Sequence, residues 1–200
     1  MGRKEWMART AQRACFCLVA FLATVIPAAA TAIGSLQELS PVPATYVEGI
    51  VGGDFATFGA NYAVGTATGF LQAVDLGGTS GCEAADFAGF AAGAIALLQR
   101  GTCVFSDKVN NAAAAGAIGA LIFNNVVGPL GFTFVDPTTI PSLALSNALG
   151  LDFVQQLQSG EVQVRFTVAE APIPEPASLL LLATGSAALA GVRRRRRRAN

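Results

Sequence analysis

The chain has 200 residues, 52 % of them hydrophobic and 13 % charged, with thirteen basic residues against thirteen acidic ones. It contains no histidine, which excludes Ser-His-Asp and Cys-His catalysis and histidine-ligated zinc. The charge balance is uneven along the chain. Between Ile33 and Ala171 three basic residues (Arg100, Lys108, Arg165) stand against eleven acidic ones, a net charge of −8, which disfavours nucleic acid as a partner.

The N-terminus reads as a secretory signal peptide over residues 1–32. Arg3, Lys4, Arg9 and Arg13 precede an apolar run over 14–26, and Ala28-Ala29-Ala30 and Ala30-Thr31-Ala32 both offer small-x-small cleavage sites. Cutting before Thr31 and cutting before Ile33 fit equally well. Cys15, Cys17 and Trp6 fall in this leader, so the exported body over 33–170 keeps two cysteines and no tryptophan.

Within that body, Pro41 and Pro43 mark an extended entry. Residues 46–51 read as a strand ended by Gly52-Gly53, and short β-like pieces interrupted by Gly59, Gly65 and Gly69 follow over 55–75. Gly77 to Gly81 form a loop feeding Cys82. The apolar run over 94–99 fits a strand buried on both faces, and Arg100-Gly101-Thr102 turns the chain. Ser106 reads as the N-cap of a helix reaching about Ala115, with Asp107 at its positive end and Gly116 at its C-terminal cap. Its four alanines, 112–115, allow close approach to a sheet. Residues 117–123 form a second apolar strand, Phe132 to Val135 another strand piece, and Ser142 to Leu145 a short strand. Ser146 then caps a helix over 147–158 that Ser159-Gly160 stops. Val162, Val164, Phe166 and Val168 alternate with polar or small residues, as a half-buried final strand does.

Prolines 172, 174 and 176 make residues 171–176 a stiff linker. Beyond it lie a short apolar segment over 177–192, read as membrane-spanning, and a cytoplasmic tail over 193–200 whose residues 193–198 are all arginine. Pro174-Glu175-Pro176, the apolar span and the arginine cluster, in that order, resemble the PEP-CTERM sorting signal of Gram-negative bacteria. The resemblance implies export by the Sec machinery, transient anchoring in the inner membrane, processing by an exosortase, and delivery to the cell surface or extracellular matrix.

Cys82 and Cys103 are most simply a disulfide in an exported domain. Two free thiols or half of a metal site are the alternatives, and zinc would need carboxylates to complete its ligand set. Residues 93–125 resemble the protease-associated (PA) domain. The shared features are the strand into Arg100-Gly101-x-Cys103-x-Phe105, the Lys108-x-x-Asn111-Ala112 helix, the Ala115-Gly116-Ala117 exit and the second strand ending at Asn124-Asn125. Ile140-Pro141-Ser142 with Leu145-Ser146, Gly150 and Ser159-Gly160 extend the match to about residues 36–168. The family implies a β-rich α/β fold, an open β-barrel or sandwich with about two flanking helices, and places Cys82 as the usual partner of Cys103.

No chemistry-bearing motif competes with this reading. Neither a P-loop nor a GxGxxG pattern occurs, and no Asp-x-Asp calcium spacing. Ser106 and Lys108 stand two residues apart at a helix start, where side chains do not face each other. Paired carboxylates for glycoside cleavage would meet only in the fold. Arg100 either contacts a partner carboxylate, or pairs within its own turn or lies solvated; Asn124 and Asn125 either shape a ligand loop or serve the strand-end turn. The expectation is therefore an exported PA-domain protein that is not an enzyme, uses no cofactor or metal, and binds an unknown protein or peptide. The alternatives are an accessory substrate-binding subunit of a separate exported protease and, third, a carboxylate-based hydrolase.

Overall fold

The computed structural model describes residues 31–172. The leader's basic and apolar stretches, the Pro174-Glu175-Pro176 motif, the 177–192 segment and the arginine cluster lie outside the described residues. Among the described residues no helix is long and apolar enough to cross a membrane.

Eight strands form one curled sheet: β1 (Ala32–Ser40), β2 (Ala44–Thr45), β3 (Phe55–Thr57), β4 (Gly65–Ala73), β5 (Ile95–Gln99), β6 (Gly119–Phe123), β7 (Ser142–Leu145) and β8 (Gln163–Glu170). Two helices, α1 (Phe105–Ala114) and α2 (Asn147–Ser159), pack against it, and a 3-10 turn spans Ala84–Phe87. The strand order is β2-β1-β8-β4-β5-β6-β7-β3. β4 to β7 run parallel, while β8 and β3 are antiparallel to their neighbours. Curling brings the outer strand β3 back towards β1, where Thr57 Oγ1 donates to the Ala32 carbonyl at 3.2 Å. This is the β-rich PA-like architecture with two helices that the sequence resemblance implies.

The core has two layers because β5, β6 and β7 are buried on both faces. Ile95, Leu97, Leu121, Phe123, Leu143 and Leu145 point into the curl, where they meet Leu36, Val164 and Phe166. Leu149 and Phe153 of α2 close that interior. The alternate residues Ala96, Leu98, Ala120, Ile122 and Ala144 face outward onto Val109 and Ala112 of α1. Period-two alternation between two apolar environments is what turns a continuous hydrophobic run into a central strand.

Several local expectations hold. Strand β7 and helix α2 fall where the pattern puts them, with Ser146 Oγ accepting the Leu149 amide at 3.1 Å as the N-cap of α2. Gly116 follows α1 with φ +91°, the left-handed conformation that ends many helices. Three expectations fail. Residues 46–51 are not a strand: β2 ends just before them at Thr45 and their ladder pairing is limited to an isolated Glu48–Phe55 bridge, because Gly49, Gly52 and Gly53 turn the chain before a ladder can grow. Phe132 to Val135 form no strand either. Phe132 and Phe134 are buried by packing on Phe58, whose ring stacks on Phe134 at 3.9 Å, so the segment is held by side chains rather than a ladder. Ser106 is not an N-cap. Helix α1 starts two residues earlier, Val104 holds the cap position without a side-chain bond, and Ser106 is fully buried with an unpartnered hydroxyl. Phe105 causes the shift, since its ring packs on Phe58 and Phe132 and pulls the first turn into the core. Strand β1, which no sequence pattern signalled, pairs along nearly its whole length with β8.

Helix α2 sits against the sheet at Gly150, where an added Cβ would overlap Phe123. Gly150→Ala should therefore destabilise the domain by about 2 kcal/mol, since overpacking outweighs the gain of about 1 kcal/mol in helix propensity. Urea denaturation checks this; a stabilised variant would show that α2 can lift without cost.

Candidate functional site

The parallel strands β5, β6 and β7 deliver their C-terminal ends to one rim, the end of a parallel sheet at which α/β folds place ligands. Arg100 leaves β5 there. Its guanidinium donates from Nη1 to Asn124 Oδ1 at 2.9 Å and lies over the Phe132 ring, Cζ 4.9 Å from the centroid. Phe132 is itself buried, so the cation rests on a fixed aromatic floor. Asn124 is buried at the end of β6; its amide donates to the Leu145 carbonyl at 3.0 Å and its own carbonyl accepts from Asn147 Nδ2 at 2.9 Å. Asn125 is exposed one residue on. Of the three residues singled out as possible partner contacts, two are bonded to each other and the third stands beside them in solvent. Arg100 thus pairs across to the neighbouring strand end rather than within its own turn.

Sequence reasoning missed what surrounds this group. Val126 and Val127 follow Asn125, with Val127 90 % exposed. Ile50 and Val51, from the loop before β3, join them, with Val51 83 % exposed. The Leu130 amide donates to the Ile50 carbonyl at 2.8 Å, which ties the two loops together. Val104, also exposed, begins the next helix on the same rim. Five exposed aliphatic side chains on the loops adjoining the seated arginine are unusual, because exposed apolar groups normally occur singly. The available signal was weak: the Ile50-Val51 and Val126-Val127 pairs sit next to turn residues where a solvated loop would carry polar ones.

Beneath the rim lies a second group that the sequence did not reveal as a unit. Lys108, the one lysine of the body, is fully buried in α1. Its ammonium donates to the carbonyls of Thr79 at 2.9 Å and Ser80 at 2.6 Å. Burial lowers its pKa from the usual lysine value, and the nearby Asp86 carboxylate acts in the opposite direction. Asp86 holds the same loop from the other side, accepting from Thr79 Oγ1 at 2.7 Å and from the Gly81 amide at 2.8 Å. Partial burial works to raise its pKa, but the bonds from Thr79 and from the amides of Glu83, Gly81 and Cys82 together hold it below the ordinary carboxylate range. Asn111 Nδ2 donates to the Cys82 carbonyl at 2.9 Å, and Cys82 is bonded to Cys103 with their Cα atoms 5.8 Å apart. The loop over 77–87 is thereby fastened to α1 and to the Arg100 turn. Ser106 and Lys108 do not form a nucleophile–base pair: the ammonium is committed to two carbonyls and the hydroxyl has no partner.

A third polar cluster closes the curl near α2. Glu38 is buried, accepts from Tyr46 Oη at 2.6 Å and the Val42 amide at 3.2 Å, and meets Gln156 Nε2 at 3.3 Å. Burial, then the bond to Glu38, raises the Tyr46 pKa well above that of free tyrosine. The Glu38 carboxylate oxygens are occupied by structural donors. Among the described residues no three His, Cys, Asp or Glu side chains gather as a metal-binding group.

Comparison with known proteins agrees with this architecture. The family model for the PA domain matches residues 67–153, and that for the PEP-CTERM protein-sorting motif matches residues 172–197. An aminopeptidase of Pseudomonas aeruginosa is 50 % identical over 97 residues, covering 46 % of this chain and 17 % of that protein. Leucine aminopeptidase 2 of Trichophyton equinum is 38 % identical over 91 residues, 44 % of this chain and 18 % of that protein. The chain therefore spans less than a fifth of the length of these curated relatives. Among solved structures, an aminopeptidase from Aneurinibacillus sp. strain AM-1 superposes with a TM-score of 0.51 at 25 % identity, over 70 % of this chain and 33 % of that one. A zinc aminopeptidase from Bacillus subtilis superposes with a TM-score of 0.52 at 20 % identity, over 70 % of this chain and 31 % of that one, a likeness of fold alone.

Proposed function

We propose, from the premise that this chain carries a PA domain followed by a PEP-CTERM protein-sorting motif, that it is an exported, non-catalytic module binding a protein or peptide at the cell surface or in the extracellular matrix. The observation that carries the reading is the rim itself. Arg100, held by Asn124 over Phe132, offers a preset cation, and Ile50, Val51, Val104, Val126 and Val127 surround it with exposed apolar surface. A partner presenting a carboxylate flanked by apolar side chains would satisfy both features.

Val126→Asp combined with Val127→Asp should abolish capture of the partner from surface-extracted protein while leaving thermal unfolding within about 0.5 kcal/mol of the parent, as exposed substitutions do. Undiminished capture by this variant would remove the rim as the binding surface.

A second reading draws on the relatives, which are aminopeptidases matched over under a fifth of their length. In it, this chain supplies a PA module in trans to a separately encoded exported protease. Deletion of the gene would then lower surface peptidase activity; unchanged activity argues for binding alone.

The leader is expected to be cut before Thr31 rather than before Ile33. The Ala171 amide donates to the Thr31 carbonyl at 2.7 Å and Ala32 pairs with Glu170, so the later cut would remove bonded residues of β1. Intact mass of the surface-extracted protein checks this end and, at the other, the loss of the arginine cluster; a mass retaining Arg198 would contradict sorting.

A further inference from the structure

Strand polarity assigns the two ends of the body different surroundings. β1, β4, β5, β6 and β7 point one way and β3 and β8 the other. The start of β1 and the end of β8 therefore share one rim, tied by the Ala32–Glu170 pairing and the Thr31–Ala171 bond. The C-terminal ends of β5, β6 and β7, with Arg100 and Val127, form the opposite rim. We infer that in the membrane-anchored precursor the rim holding Thr31 and Ala171 faces the lipid surface of the anchoring bilayer, and the Arg100 rim faces away from it.

Three observations carry this orientation. Both chain ends leave the body at a single point, and each leads to an apolar run, over 14–26 and over 177–192. The reach of the tether decides the rest. Ala171 to Pro176 span at most roughly 21 Å even fully extended. The nine residues of β1 measure roughly 30 Å at strand rise. The body cannot turn over to bring the Arg100 rim to the bilayer without the tether running up its side, a distance it does not cover. The rim at the chain ends also carries aliphatic residues for an interfacial contact. Ile33, 45 % exposed, pairs with Ala169, and Val64, 55 % exposed, precedes Gly65, which pairs with Val168. They flank the end of β8 on both sides. The partner surface is thus presented outward before the tail is processed, and the processing point lies beneath the body.

The inference rests on residues 177–192 being the membrane anchor and is independent of what the Arg100 rim binds. The test uses the full chain, with Cys15→Ser and Cys17→Ser so that the donor finds one free thiol, in phosphatidylcholine vesicles containing an acceptor-labelled lipid. A donor is attached through Val64→Cys or Ile33→Cys at one rim and through Val127→Cys or Val126→Cys at the other, two positions for each rim in case one variant folds poorly. Energy transfer from positions 33 and 64 is expected to exceed that from 126 and 127 by about twofold or more, given a separation of roughly 30 Å between the rims. Equal transfer from both rims, or greater transfer from 126 and 127, would overturn the orientation. A full chain that fails to float with the vesicles would overturn it through the anchor, whatever the rim binds.

Discussion

Lys108→Ala is expected to destabilise the domain by about 4 kcal/mol, the largest effect of any single change away from the apolar core. The truncation opens a cavity in a fully buried position and leaves the carbonyls of Thr79 and Ser80 without donors. Lys108→Met separates the two contributions. It keeps the aliphatic stem and removes the desolvated charge, so its cost should fall to about 2 kcal/mol, the penalty for two buried acceptors less the relief of the ammonium. The pH dependence has a definite sign. The folded-state pKa is lowered below the unfolded value of 10.5, because burial disfavours the charged form. Between those two values the unfolded chain holds more protons than the folded one, so stability rises with pH across that window. Lys108→Met lacks this contribution. The stability gap between the parent and Lys108→Met should therefore widen as pH is raised towards 10.5, with other titrating groups cancelling in the difference. A gap that stays flat in urea titrations at pH 7, 9 and 10 would show that the ammonium is not held against its desolvation.

Reduction of the Cys82–Cys103 bond should lower the melting temperature by about 10 °C. The bond closes a loop with a sequence separation of 21 residues, worth about 3 kcal/mol in the chain-entropy account, and each kcal/mol moves the midpoint of a domain this size by roughly 3–4 °C. The loss should be felt locally first. Cys82 follows the loop that Lys108, Asp86 and Asn111 hold, and Cys103 belongs to the turn that seats Arg100. Amide exchange over 77–87 should speed up before the strands respond. Calorimetry with and without reductant, and on Cys82→Ala with Cys103→Ala, makes the comparison. Rapid alkylation of both thiols in native, unreduced protein would contradict the cross-link itself.

These two predictions meet at one place in the fold. The Arg100 turn gains its fixed geometry from the disulfide on one side and from Phe132 and Asn124 on the other. The loop behind it is locked by a buried cation as well as by the packing of Phe87 into the core. A binding rim built on loops needs such fastening, since each freely moving side chain or loop ordered on association subtracts from affinity. Lys108 thus connects a stability effect to the shape of the candidate surface without touching any partner.

The elements legible in the amino-acid sequence are those whose cause is local. β5 and β6 are continuous apolar runs, α2 has its Ser146 cap, β7 is a short strand between a proline and that cap, and β8 alternates with period two. The resemblance to a PA domain and to a sorting tail likewise lay in contiguous motifs. What escaped depends on partners far along the chain. β1 is a strand because β8, some 130 residues away, pairs with it; its own residues, with Gly34 and two serines, signal little. Ser106 is buried rather than capping because Phe105 is drawn onto Phe58 and Phe132. Nothing next to Lys108 in the chain signals its burial, because the loop that receives its ammonium lies 28 residues earlier. Local propensity and periodicity act within a turn or two of chain and are printed in the order of the residues. The closing of the curl, the buried lysine and the gathering of Ile50, Arg100 and Val127 on one rim arise from contacts between distant segments, and these were settled only when the sheet curled.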